Sequence, residues 1–139
     1  INDMKISNVK NGTLDEGTFF GKREKAFLLA SAPNNKFGLN FNYSKDKFDA
    51  GLAFTRFSKV VLVDYNDEDD VYNPRVITDL TFGYKLTKNL KLSAGSNNLL
   101  NIYPTKQDEQ GNTEAGGYWD AVQMGFSGAY YYARLGFNF

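Results

Sequence analysis

Hydrophobic and polar residues alternate with a period of two over much of this chain. Between Lys36 and Ser44, Phe37, Leu39, Phe41 and Tyr43 fall on one side, and Gly38, Asn40, Asn42 and Ser44 on the other. Successive side chains of a strand point to opposite faces, so the pattern predicts a β-strand with one apolar face. Phe48–Thr55 repeats it, with Phe48, Ala50, Leu52 and Phe54 against Asp49, Gly51, Ala53 and Thr55. Farther on, Thr78, Leu80, Phe82, Tyr84 and Leu86 oppose Asp79, Thr81, Gly83 and Lys85, and Leu90, Leu92 and Ala94 oppose Lys91, Ser93 and Gly95. The last such stretch sets Tyr131, Ala133, Leu135, Phe137 and Phe139 against Tyr130, Tyr132, Arg134, Gly136 and Asn138.

The segments between these strands differ in length. Residues 45–47 and 87–89 are short polar links that fit hairpin turns. Residues 11–35, 64–74 and 103–128 are long. Arg56–Val63 reads as an extension of the second strand in which the alternation blurs. Asp64–Pro74 is acidic and aperiodic, and Glu24–Ala32 fits a short helix or an irregular loop, of which loop is the preferred reading. Ile1–Lys10 is a weaker strand candidate, and Tyr118–Phe126 is either a strand or an ordered part of a loop. The prolines, Pro33, Pro74 and Pro104, all fall in links, as they must if the strands keep their ladder N–H groups.

These features predict an all-β, antiparallel, up-and-down architecture. Alternately tight and long links, and strands close to the roughly 9 to 11 residues that cross a tilted bilayer, fit a transmembrane β-barrel. Aromatic residues near the short links (Tyr43, Phe48, Tyr84, Phe137) fit the interfacial girdle of such a barrel. Alternation alone fits a soluble β-barrel or sandwich binding a small apolar ligand equally well, with the Phe and Leu rows packed inward. The polar rows favour the membrane: they hold mainly Gly, Ser, Asn and Thr, with isolated charges at Asp49, Asp79, Lys85 and Arg134. Five clear strands are too few for a closed barrel, since eight is the smallest usual number. Open sheet edges are not tolerated in lipid, so the chain is expected to be a piece of a longer barrel.

Composition narrows the chemistry. Lys plus Arg equals Asp plus Glu at 16 each, which gives no global attraction to nucleic acid. There is no Cys and no His, so no disulfide, no thiolate metal site and no imidazole base are available. Ser31, Ser93 and Ser127 lack a nucleophile-elbow setting, and no Gly-rich phosphate loop precedes a helix. No catalytic residues, cofactor or metal are therefore expected. An enzyme would have to be a carboxylate-dependent hydrolase. No apolar run is long enough for a membrane helix.

The residues after 75 carry a resemblance. Thr78-Asp79-Leu80-Thr81-Phe82-Gly83-Tyr84, Asn89-Leu90-Lys91-Leu92 and Gly95-Ser96-Asn97-Asn98-Leu99-Leu100-Asn101-Ile102-Tyr103-Pro104 resemble the final strands of TonB-dependent outer-membrane receptors, in the style of Bacteroidetes-type members. Leu100 stands where that family commonly has Phe. Gln123–Leu135 resembles the family's last external loop and last strand, and Ala30–Lys36 a stretch before an earlier strand. Phe139 resembles the C-terminal aromatic used as a barrel assembly signal. The resemblance implies a 22-stranded barrel in the bacterial outer membrane that surrounds a plug and imports a scarce nutrient with energy from the TonB complex. Its partners would be outer-membrane lipid, the rest of its own barrel and plug, and, through a missing N-terminal part, TonB. Residues 1–139 would be the C-terminal portion of the barrel domain, unable to transport alone.

Three groups of residues stand out as candidate sites. Tyr118, Trp119 and Asp120 lie in the last long link, where they either contact ligand or, for Trp119, anchor the interface. Tyr130, Tyr132 and Arg134 would point into the lumen if Phe139 faces lipid, where they either meet plug or substrate or simply fill the interior. The acidic run 64–70 suggests Ca²⁺. An EF-hand loop would need Gly and Glu where Asp69 and Arg75 stand, so a solvated loop is the better reading.

Overall fold

A computed structural model of the chain describes residues 5–6, 20–30, 33–107, 117–120 and 124–139. The described residues form two compact units.

One unit is a five-stranded antiparallel sheet. Its strands are β1 (Lys36–Lys45), β2 (Phe48–Phe57), β5 (Arg75–Lys85), β6 (Leu90–Asn97) and β7 (Tyr130–Phe137), in the spatial order β1-β2-β5-β6-β7. These are the strands that the alternation predicts, and each hydrogen-bonds to the next one of the set in sequence. The β1–β2 link is the two residues Asp46 and Lys47. Asp46 sits at φ 52°, in the left-handed region that so short a hairpin requires and that Asp tolerates better than most residues. In the β5–β6 link, the Thr87 hydroxyl oxygen accepts from the N–H groups of Asn89 and Leu90, which closes the turn. Asn89 also fixes the end of β7: its side-chain amide donates to the Asn138 carbonyl, and the Asn138 N–H donates to the Asn89 carbonyl.

The register assigns the faces. Tyr84, Leu92 and Leu135 form one row across β5, β6 and β7, and Phe82, Ala94 and Ala133 form the next. Gly83, Ser93 and Arg134 form a row on the opposite face, followed by Thr81, Gly95 and Tyr132. The apolar rows are not a core. Phe41 is 54 % exposed and Leu135 64 %.

The second unit contains the buried core. Helix α1 (Lys22–Ala30) packs on the hairpin of β3 (Val60–Val63) and β4 (Asp69–Tyr72). Ala30, Val60, Leu62 and Tyr72 are buried together, with Phe27 and Trp119 against them. This corrects three sequence expectations. Glu24–Ala32, read as irregular loop in preference to a short helix, lies largely in the helix Lys22–Ala30. Lys22–Ala30 is rich in strong helix formers, and docking on β3 supplies the stability that a nine-residue helix lacks alone. Val60–Val63 does not extend β2, and Asp64–Pro74 is not all loop: Asp69–Tyr72 returns as β4. The acidic turn is closed by Asp64, whose carboxylate accepts from the N–H groups of Asn66 and Glu68 at 2.8 Å each. The described part of 118–126 is not strand, and the expected strand at Ile1–Lys10 falls almost wholly outside the described residues.

Candidate functional site

The polar face of the sheet is shaped by three glycines. A Cβ on Gly51 would meet the Thr81 hydroxyl at 2.7 Å and the Asn42 side-chain oxygen at 3.2 Å. One on Gly95 would meet the Tyr132 hydroxyl at 2.5 Å, the ring carbon that bears it at 2.6 Å and the Leu80 carbonyl at 2.8 Å. One on Gly83 would collide with the Asp49 carboxylate and, at 2.6 Å, with the Lys91 chain. Larger side chains therefore lie flat over missing ones. Asp49 on β2 and Lys91 on β6 pair at 2.6 Å across the intervening strand. Tyr132 lies over Gly95, its cross-strand neighbour, and stacks near Tyr130 with ring centres 6.2 Å apart. Tyr130, Tyr132 and Arg134, singled out from the sequence, thus share this polar face. Asp49 was legible as an inward charge, but its partner two strands away was not.

The other face is a continuous apolar surface. Phe41 meets Phe54 edge-on, Phe48 lies 6.2 Å from both Tyr43 and Phe82, and Phe137 meets Phe139 edge-on at 5.1 Å. Near the short links the aromatic side chains are Tyr43, Phe48, Tyr84 and Phe137, the distribution expected of an interfacial girdle.

The Asn-Asn-Leu stretch after β6 has a physical explanation that the sequence did not reveal. Asn98 is 6 % exposed, at φ 52°. Its side-chain amide donates to the Ile102 carbonyl at 2.7 Å, and its side-chain oxygen accepts from the Ile102 N–H at 2.8 Å. A carboxamide offers a donor and an acceptor side by side, so it pairs with the main chain as a strand neighbour would. The Asn98 N–H donates to Asp79 on β5, and the Leu99 N–H to the Thr78 carbonyl. Asn101, also at positive φ, accepts from the Ala129 N–H and so ties down the start of β7.

In the second unit, Trp119 stacks on Tyr103 at 5.4 Å and on Phe126 at 6.3 Å, and its indole N–H donates to the Pro104 carbonyl. Tyr118 is half-buried, with the Lys106 ammonium 3.6 Å from its ring centre. Asp120 is 2 % exposed, and its N–H donates to the Tyr72 hydroxyl at 2.8 Å. Burial raises the Tyr72 pKa above its ordinary value; the nearby Asp120 and Asp70 charges add to the rise, while the hydrogen bond from Asp120 opposes it. Tyr72 was absent from the sequence-derived candidates because nothing local marks it as the loop's anchor. In the acidic turn, Lys22 of α1 pairs with Asp69 at 3.0 Å and donates to the Asp67 carbonyl, while Arg23 lies over Tyr65. Among the described residues no three carboxylates gather as a metal site.

Neighbouring antiparallel strands, apolar and uncovered on one broad face, small and polar on the other, and joined by alternately tight and long links, make the wall of a β-barrel that crosses a membrane. The family model for TonB-dependent receptor-like β-barrels matches residues 5–99, more than half of the chain, and the chain belongs to that family. This is a family of bacterial outer-membrane transport receptors, not of enzymes. No curated protein and no solved structure matches the chain.

Proposed function

We propose that this chain supplies the last strands of a 22-stranded receptor barrel that surrounds a plug and imports a nutrient at the expense of the TonB complex. Residues 1–139 would form the C-terminal portion of the barrel domain, with the plug and the TonB-contacting segment elsewhere in the receptor. One observation supports this reading above the others: the Phe, Leu and Tyr rows of the sheet lie exposed, with β1 and β7 at open edges. Lipid would cover the rows, and further strands would pair the edges, because each unpaired backbone group in hydrocarbon costs several kcal/mol by the usual transfer estimate of about 2–7.

In this reading Tyr130, Tyr132 and Arg134 face the lumen, where they pack against plug or solute. The loop carrying Tyr118, Trp119 and Asp120 sits at the external mouth. Tyr118, beside Lys106, is its ligand-contacting residue. Trp119 and Asp120 hold the loop, one through ring stacking and the other through Tyr72. Phe139 serves as the aromatic assembly signal.

The test is a spin-label scan of the full-length receptor in outer membranes. This chain has no native cysteine to interfere. Single cysteines at positions 130 to 137, each carrying a nitroxide, are challenged with oxygen, which dissolves in lipid, and with a nickel chelate, which stays in water. Positions 131, 133 and 135 are expected to collide with oxygen, and 130, 132 and 134 with the chelate. Loss of that alternation would remove the reading.

A further inference from the structure

The short-link end of the sheet holds lysines that no feature above explains. The register sets Lys85 directly opposite Lys91, and like charges facing each other across a strand pair are unfavourable. Asp49 neutralises Lys91. Among the described residues, Lys85 has no carboxylate partner, and neither has Lys88 in the β5–β6 link. The three lysines line one cavity of about 220 Å³ with Thr87, Gly136 and Asn138, and no acidic residue lines it. Gly136 contributes no side chain to obstruct it. The Thr87 oxygen already accepts from two backbone N–H groups, so its own hydrogen is left to donate outward. The neighbouring link adds Lys45 and Lys47 around Asp46, and the Lys85 N–H donates to the Lys47 carbonyl. The chain as a whole is neutral, so this excess of positive charge is local.

We propose that this pocket binds a phosphate-class oxyanion through Lys85, Lys88 and the Thr87 hydroxyl, with Lys91 held aside by Asp49. Lys85, Lys91 and Gly136 stand on the polar face, so the pocket opens at the rim of the lumen, at the height of Tyr84 and Phe137 of the aromatic girdle on the other face and hence of lipid head groups. A phospholipid head group and a free ion offer the same chemistry there. The site depends on the sheet and on the membrane rim, not on which solute the receptor imports.

The test uses the full-length receptor in a neutral detergent and reads its thermal midpoint. One arm adds inorganic phosphate against sodium chloride of equal ionic strength. The other adds phosphatidylglycerol against phosphatidylcholine to the micelles. The unaltered receptor is expected to gain about 2 °C or more in at least one arm. The gain shrinks in Lys88→Gln and vanishes in Lys85→Gln/Lys88→Gln. A gain in the first arm alone identifies a free ion, and in the second alone a head group. Should the double variant fail to fold, Lys88→Gln decides, because that side chain is exposed in a link. No gain in either arm, or an equal gain in the variants, overturns the site.

Discussion

Lys91 reaches over the whole width of β5 to pair with Asp49, and the residue beneath the pair is Gly83. Both charged side chains remain about two-fifths exposed, so the pair is worth about 1 kcal/mol at most. Gly83→Ala is expected to open the pair rather than distort the sheet, because a long flexible side chain can move away. Its cost should not exceed that of the pair, and it should vanish in an Asp49→Asn background. Urea unfolding of the receptor in lipid vesicles measures both.

Gly95→Ala meets a harder obstacle. The added methyl would press on Tyr132 and also on the backbone carbonyl of Leu80, which cannot swing aside. A loss of about 1–3 kcal/mol is expected by the same unfolding measurement. Adding Tyr132→Ala should recover only part of it.

Asn98 should tolerate no substitution fully. Asn98→Asp keeps an acceptor for the Ile102 N–H but offers the Ile102 carbonyl no donor, so about 1–3 kcal/mol is lost. Asn98→Gly leaves both groups of Ile102 unpaired but suits the positive φ. Asn98→Ala loses the bonds and adds backbone strain, and it should rank lowest of the three in thermal midpoint.

Tyr72→Phe removes the acceptor of the Asp120 N–H inside the core of the helical unit. A cost of about 1–3 kcal/mol is expected, read as faster proteolysis of the loop around Trp119. The folded-state pKa of Tyr72 lies above its unfolded value near 10, so its stabilising contribution is complete below pH 10 and falls as pH rises beyond it. Receptor carrying Tyr72→Phe should therefore lose stability less steeply in alkali than the unaltered protein.

A charge separates the two faces. Ala133→Arg puts a cation on the apolar face and should cost about 2–4 kcal/mol if that position sits at mid-membrane. Tyr130→Arg, on the polar face, should stay within about 1 kcal/mol. Equal losses from the two in vesicle unfolding would contradict the assigned faces.

The main sheet was readable from residue order because lipid leaves a strict mark: every second side chain must be apolar, and Phe37 to Tyr43 or Tyr131 to Phe137 keep to it. The helical unit was not readable, because its elements are defined by each other. Val60-Val61-Leu62-Val63 has no alternation, since all four residues are apolar although Val61 is exposed, and Lys22–Ala30 has no stripe to announce a helix. Among the candidate residues, Tyr130, Tyr132 and Arg134 could be placed on one face by counting in twos. The burial of Asp120 could not be foreseen, since a carboxylate beside Trp119 looks like a surface group until Tyr72 is found beneath it. Asn98 stood out only through family likeness; its pairing with Ile102 depends on a backbone angle that no composition reveals.

The spatial order of the sheet has a consequence for how it forms. Apart from the β3–β4 hairpin inserted between β2 and β5, each strand lies beside its predecessor in the chain. Entropy lost in closing a loop grows only slowly with its length, and here the tightest turns close first. The wall can therefore grow by accretion, each new strand zipping onto the one just laid down, and no strand waits in lipid for a distant mate.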